Sequence, residues 1–348
     1  MTAMAGMGGP AGLMADRAAV DWLILAALLL IFGLTTFTAL MLPAEIDRQA
    51  LPSRFSIVVR LSASVQLVFV PLVLIVNVAG MAEVRLRAAI PLVPQVLRET
   101  HFGHVWLAAA PLAVLLAALA WAPSRREPAR TSGLALISAA LLMLWAASGH
   151  AVGYGRIAIG VYFIHEAAVG LWLGALVGLW LVADLGDRVV ERNAPKVSRL
   201  AGWCVGIIVL SGAYAAYDGL GLSIGYLLYS GYGRTLLVKV ALFAVVASIG
   251  GYNRYRLMPR SCASAASRRA LLRNVRIESM VLALVLALSA ILANTAPPHR
   301  GTGSNANSDA RAFSGRTPRG VFNRPDAVRL ALGVNSTAAS PVPGGRVK

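Results

Sequence analysis

The sequence predicts an all-α, polytopic membrane helix bundle of about eight transmembrane helices, with a candidate parallel 4+4 repeat. Three observations carry this expectation. Of 348 residues, 57% are hydrophobic and only 14% charged, whereas soluble domains carry about 25% charged residues. Aromatics make up 7%, so the apolar mass is Leu, Ala, Val and Ile, and mean hydropathy is +0.69. These residues lie in runs that reach the roughly 18–25 needed to cross a bilayer as a helix. Helices satisfy their own backbone hydrogen bonds in lipid, which an open sheet edge does not.

Eight runs are read in order. The first, Trp22–Leu42, follows Asp16, Arg17 and Asp21 and ends at Leu42-Pro43 without a small-residue cleavage pattern. It exceeds a signal-peptide core in length and reads as a retained helix. The others are Ile57–Ala79, Val105–Trp121, Gly133–Gly149, Ile157–Ala183, Leu200–Tyr217, Thr235–Tyr252 and Ile277–Ala293. The expected organisation is an external tail over 1–20, the first four membrane helices over 21–139 and the second set over 140–298. From Pro297 the composition turns to Gly, Ser, Asn, Pro and Arg. Such a segment buries too little apolar surface to offset its chain entropy, so 299–348 reads as a disordered external tail.

Charge orients these spans. The 32 Lys and Arg against 15 Asp and Glu give +17, and most of the excess lies in odd-numbered connections. Arg48, Arg54 and Arg60 border the first; Arg125, Arg126 and Arg130 fill the third. Arg188, Arg192, Lys196 and Arg199 fill the fifth, and the seventh holds Arg254, Arg256, Arg260, Arg268, Arg269, Arg273 and Arg276. Basic loops stay in the cytoplasm. The even connections, holding Arg85, Arg87, Arg98, Arg156 and Arg234, therefore face outward with both termini. The lipid bilayer, with its anionic headgroups, is the expected partner of this charge. Nucleic acid is not, because no aromatics interleave the scattered arginines. Cys204 and Cys262 form no CxxC, which excludes a disulfide framework, a zinc knuckle and a thiol redox motif. Nor is there a nucleophile motif, a P-loop or HExxH, so no enzyme is expected.

Thr100-His101-Phe102-Gly103-His104 opens the third span and Ser230-Gly231-Tyr232-Gly233-Arg234 the seventh. Each places an aromatic-Gly pair and a basic or imidazole residue before an apolar run. That is the kind of weak internal likeness a parallel repeat of four helices leaves.

All five histidines map to the outward side. His101 and His104 lie in the second connection, His150 at the outer end of the fourth helix, His165 about two turns into the fifth, and His299 just after the eighth. Neutral imidazole ligates copper, zinc and iron, although His101, His104 and His299 taken singly read as solvated loop residues. His165-Glu166 is different, since an ionisable pair within a span is a functional-site hypothesis by default. Glu166 has Lys239 of the seventh helix as a candidate partner, while Lys239 taken alone reads as snorkelling outward. Trp172 lies two turns from His165 on the same face, and Gly174 allows close helix approach. Glu278, beside Arg273 and Arg276, reads as a carboxylate favouring the start of the last helix. Met1, Met4 and Met7 form a cluster of soft donors, although their Ala- and Gly-rich surroundings read as low complexity.

In order and spacing these residues resemble the copper resistance protein D family. The likeness runs from Gly149-His150-Ala151 through His165, Trp172-Leu173-Gly174, Tyr232-Gly233-Arg234, Leu236-Leu237-Val238-Lys239, Asn253-Arg254 and Leu257-Met258-Pro259 to Arg276-Ile277-Glu278 and Pro297-Pro298. It covers about residues 140 to 298, with Thr100 to Leu107 a weaker match. The resemblance implies a multi-pass protein of the bacterial inner membrane that transports or imports copper, as Cu(I) or Cu(II), or serves its homeostasis, often beside a periplasmic copper-binding protein. It makes His150 and His165 the ligand candidates, helped by His101 or His104, with Trp172, Gly233 and Lys239 supporting the bundle. Only Met41, Met143 and Cys204 offer soft groups in the inner half. Two other readings stay open: a haem-binding b-type cytochrome, since paired histidines hold haem axially, and a copper-binding scaffold that does not transport.

Overall fold

Lipid leaves a long apolar run one way to satisfy its amides. In the computed structural model, which describes residues 10–42, 51–82, 84–123, 127–148, 155–220, 224–261 and 264–294, every such run is a helix. The helices are α1 Pro10–Leu40, α2 Ser53–Met81, α3 Leu86–Ala89, α4 Val93–Glu99, α5 His101–Trp121, α6 Glu127–Ser148, α7 Arg156–Leu181, α8 Asp187–Leu220, α9 Ile224–Tyr229, α10 Gly231–Tyr252, α11 Met258–Ser261 and α12 Ala265–Ala293. Single turns of 3₁₀ helix follow α3 and α7, and a π-helical turn, Asn253–Leu257, joins α10 to α11. Among the described residues eight helices are long and apolar enough to cross a membrane, built on α1, α2, α5, α6, α7, α8, α10 and α12. The protein is the all-α polytopic bundle expected.

Helix boundaries differ from the apolar runs for a physical reason. α8 starts at Asp187 and α12 at Ala265, well ahead of the apolar starts at Leu200 and Ile277. Their polar first turns pair with each other, Arg268 bridging to Asp187 and, at 3.0 Å, to Glu191. Likewise α1 already runs from Pro10, inside the segment read as a tail. Residue 140 falls within α6, so four membrane helices occupy the chain as far as Ser148. The short helices α3, α4 and α9 leave no periodic signal long enough to read. Met1, Met4, Met7, His150, Cys262, His299 and the C-terminal segment lie outside the described residues.

The described residues fall into two compact units, one of residues 74–104 and one of those before and after it. In the smaller, Val78, Ala79, Ala89 and Val96 are buried beneath Leu74, Ile75, Leu92, Val93 and Phe102. In the larger, α1 and α7 pack backbone to backbone. Gly33 lies against Gly170 and Gly174, where a Cβ added to Gly174 would stand 2.6 Å from the Leu34 amide nitrogen. Gly178 makes room for the Phe37 ring one turn on. Small residues at four-residue spacing allow this approach in membranes. α12 closes against α1 through two hydrogen bonds: Trp22 Nε1 donates to the Ala283 carbonyl at 3.2 Å, and Asn294 Nδ2 to Asp21 at 2.9 Å.

The two look-alike motifs form the same local structure. The Thr100 hydroxyl accepts from the Gly103 amide at 2.9 Å, and the Ser230 hydroxyl accepts from the Gly233 amide at 2.9 Å. Each is an N-cap whose side chain satisfies an otherwise unpaired donor of the first turn. The fifth residue of each motif then turns back on a carbonyl six residues earlier: His104 Nε2 to Arg98 O at 3.1 Å, Arg234 Nε to Leu228 O at 3.5 Å. Gly103 is obligatory here, because a Cβ would run into the Val96 carbonyl.

Candidate functional site

The site grows from three polar groups that the bundle brings together inside apolar helices. α7 carries His165 and Glu166, adjacent in sequence and about 100° apart around the helix. α8 packs along α7 and brings Ser211, whose Oγ lies 2.9 Å from His165 Nδ1. Geometry assigns the tautomer. Ser211 has one hydroxyl proton, and the Ile207 carbonyl takes it at 2.6 Å. The imidazole Nδ1–H therefore donates to Ser211, and Nε2 keeps its lone pair. Among the described residues the ring makes this one hydrogen bond.

Glu166 and Lys239 complete the neighbourhood. Lys239 of α10 lies close enough for its charge to act on both His165 and Glu166. Its side chain is half-buried, and a carboxyl group nearby reduces what that burial costs. Glu166 Oε2 is buried and has no hydrogen-bond partner among the described residues. A cation arriving here competes with Lys239 for the Glu166 carboxyl, whereas the imidazole Nε2 has no hydrogen-bond partner among the described residues. On α8, Tyr214 and Asp218 follow Ser211 along one face.

Trp172 belongs to a second constellation. It sits seven residues beyond His165, about 10 Å along α7, and its ring is 1% exposed. Nε1 donates to Glu278 Oε1 at 3.0 Å, and the ring meets Phe243 edge-on at 6.1 Å between centroids. Glu278 Oε2 accepts from Asn253 Nδ2 at 3.1 Å, and Asn253 Oδ1 accepts from Asn274 Nδ2 at 3.0 Å. The role expected for Glu278 at a helix start is thus corrected. α12 begins at Ala265, and Glu278 lies in mid-helix, 2% exposed, bonded across to α7 and the π turn. Ser211 and Asn274 escaped the sequence reading, and Asn253 entered it only as part of the family likeness, because neutral polar residues are ordinary within helices. Their signal was position inside apolar runs, the test that singled out His165.

Of the remaining candidates, His150 lies outside the described residues. His101 and His104 belong to the smaller unit, where both are exposed and His104 is engaged by the Arg98 carbonyl. Among the described residues no three His, Cys, Asp or Glu side chains gather closely enough to hold a metal ion. Cys204 is buried and unpaired by any disulfide, a small core residue as expected.

Comparison with known proteins bears on both halves of the chain. The family described as copper resistance protein D-like, N-terminal domain, matches residues 14–157, and the family described as copper resistance protein D matches residues 191–292. The chain belongs to the copper resistance protein D family. The second match holds Ser211, Lys239, Asn253 and Glu278, while His165 and Trp172 lie between the two. The copper transport protein CutJ of Bacillus subtilis (strain 168) is 28% identical over 177 residues, covering 46% of this chain and 32% of that relative. The chain thus aligns with about a third of that relative's length. No solved structure matches it.

Proposed function

We propose that this protein moves copper across the bacterial inner membrane, and that the ion is received on the periplasmic side by His165. Membership of a copper resistance family, together with a relative named for copper transport, supports the metal. The observation that carries the site is the Ser211 contact. It holds the imidazole in the Nδ1–H form and leaves Nε2 without a hydrogen-bond partner among the described residues. Metal-binding histidines commonly hold their second nitrogen in this way. His150, which follows α6 and precedes α7 in the chain, is the natural second ligand, with His101 or His104 acting earlier as collectors. Both copper oxidation states accept imidazole, and a periplasmic copper-binding protein is a fitting donor. Transport, rather than catalysis, is the activity this arrangement serves.

The test is copper uptake into proteoliposomes by the parent and by His165→Ala. The parent is expected to load the vesicles and the variant to fall to the level of protein-free vesicles. Equal initial rates would remove His165 from the route. Copper binding without uptake by the parent would leave a scaffold, and a Soret band in the purified protein would favour haem instead.

A further inference from the structure

Among the described residues Glu278 is the one Asp, Glu, Lys, Arg or His side chain that is buried, at 2% exposure. Its carboxyl receives two hydrogen bonds, both from neutral donors, Trp172 and Asn253, although a carboxylate accepts about four. The groups facing it are Trp172 from α7, Gly250 from α10 and Asn253 from the π turn. Neither hydrogen bond to this carboxyl comes from a charged side chain, and three cations on the neighbouring elements have other partners. Lys239 acts on Glu166 and His165, Arg254 donates to the Ser198 carbonyl at 3.1 Å, and Arg276 lies over the Trp180 ring. Asp21 of α1 accepts from Asn294. A lone negative charge inside a membrane bundle is expensive, so this carboxyl must carry a proton or a cation. Its partner Asn253 sits in a π turn, a distortion that tends to mark functional positions. Trp172 links it to α7, about 10 Å along the axis from His165.

We propose that Glu278 is a proton-exchange site of the copper transport cycle. The carboxyl holds a proton while no cation is near. It releases that proton to solvent water as the ion passes from His165 into the inner half of the bundle, and the carboxylate left behind compensates one unit of the ion's charge. Cation and proton therefore move in exchange. This rests on the copper reading above and deepens it, supplying a station where soft ligands are scarce.

Infrared difference spectroscopy on the full chain in lipid, before and after copper addition, tests it, with copper binding measured in parallel. The parent should lose a protonated-carboxyl carbonyl band when copper binds, and Glu278→Gln should bind copper without that loss. Glu278→Gln keeps the network intact if the Asn253 and Asn274 amides flip. Trp172→Phe, which removes one donor and leaves the carboxyl, should shift the same band and identifies it if Glu278→Gln does not fold. A carbonyl change that survives in Glu278→Gln and is unmoved by Trp172→Phe belongs to another carboxyl and overturns the inference. So does copper binding by the parent with no carboxyl change, which leaves the copper reading standing. A parent that binds no copper sinks the copper reading, and this inference with it.

Discussion

An imidazole ligates a metal well only when its ring is held and its second nitrogen is occupied, so Ser211 is as telling as His165. Ser211→Ala should weaken copper binding by about 10–100-fold, the range for losing the partner that orients a ligating histidine. Ser211→Thr, which keeps the hydroxyl, should retain most of the affinity; equilibrium copper titration of the detergent-purified variants reads both. Unchanged affinity in Ser211→Ala would mean that the hydroxyl packs rather than orients. At this scale the sequence is legible where charge breaks an apolar run, as at His165, Glu166 and Lys239. It is not legible where a neutral side chain does the orienting. Glu278 shows a third case. The apolar run begins at Ile277, which placed the carboxylate at a helix start, but the helix continues through the polar residues back to Ala265, because amphipathic turns need no lipid to be helical.

Two kinds of contact set the helices. The α1–α7 crossing depends on Gly33 and Gly174 meeting without side chains, and a Cβ there presses on backbone that cannot rotate away. Gly174→Ala should cost about 1–3 kcal/mol, the usual size of an overpacking penalty. Gly33→Ala acts on the same contact, so the two penalties should not add in the double variant. Thermal unfolding in detergent, followed by tryptophan fluorescence, gives all three values, and full additivity would argue against a shared contact. The caps are the second kind. Ser230→Ala, which leaves the Gly233 amide without its partner, should cost about 1 kcal/mol. The repeat was visible in the sequence as an aromatic-Gly pair at matching offsets, and at Gly103 the close Val96 carbonyl demands the glycine; the capping role of the Thr100 and Ser230 hydroxyls was not visible. The reach of His104 and Arg234 back to a carbonyl was not visible, because two unlike side chains perform it.

At the scale of the molecule, ion pairs tie together what loop charge had only grouped. Arg54 of the first connection bonds Asp184 after α7, and Arg268 before α12 bonds Asp187 and Glu191 at the start of α8. Three odd-numbered connections are thereby linked on one side of the bundle. Arg54 and Arg276 also both lie over the Trp180 ring, at 5.3 and 5.1 Å. Asn294 and Asp21 join the end of α12 to the early part of α1 at the other side. Contacts fix which segments share a side but not which side is the cytoplasm; the arginine excess predicts that side. We therefore expect reporter fusions in the connections around Arg188 and Arg269 to read as cytoplasmic, and fusions at either terminus to read as periplasmic. α7 enters from the terminal side, at Arg156, and reaches His165 before Trp172, so the same experiment fixes the direction in which an ion meets the imidazole and then the Glu278 network. The opposite reading would put His165 near the cytoplasm, and the order of stations along α7 would then describe release from the cell rather than uptake.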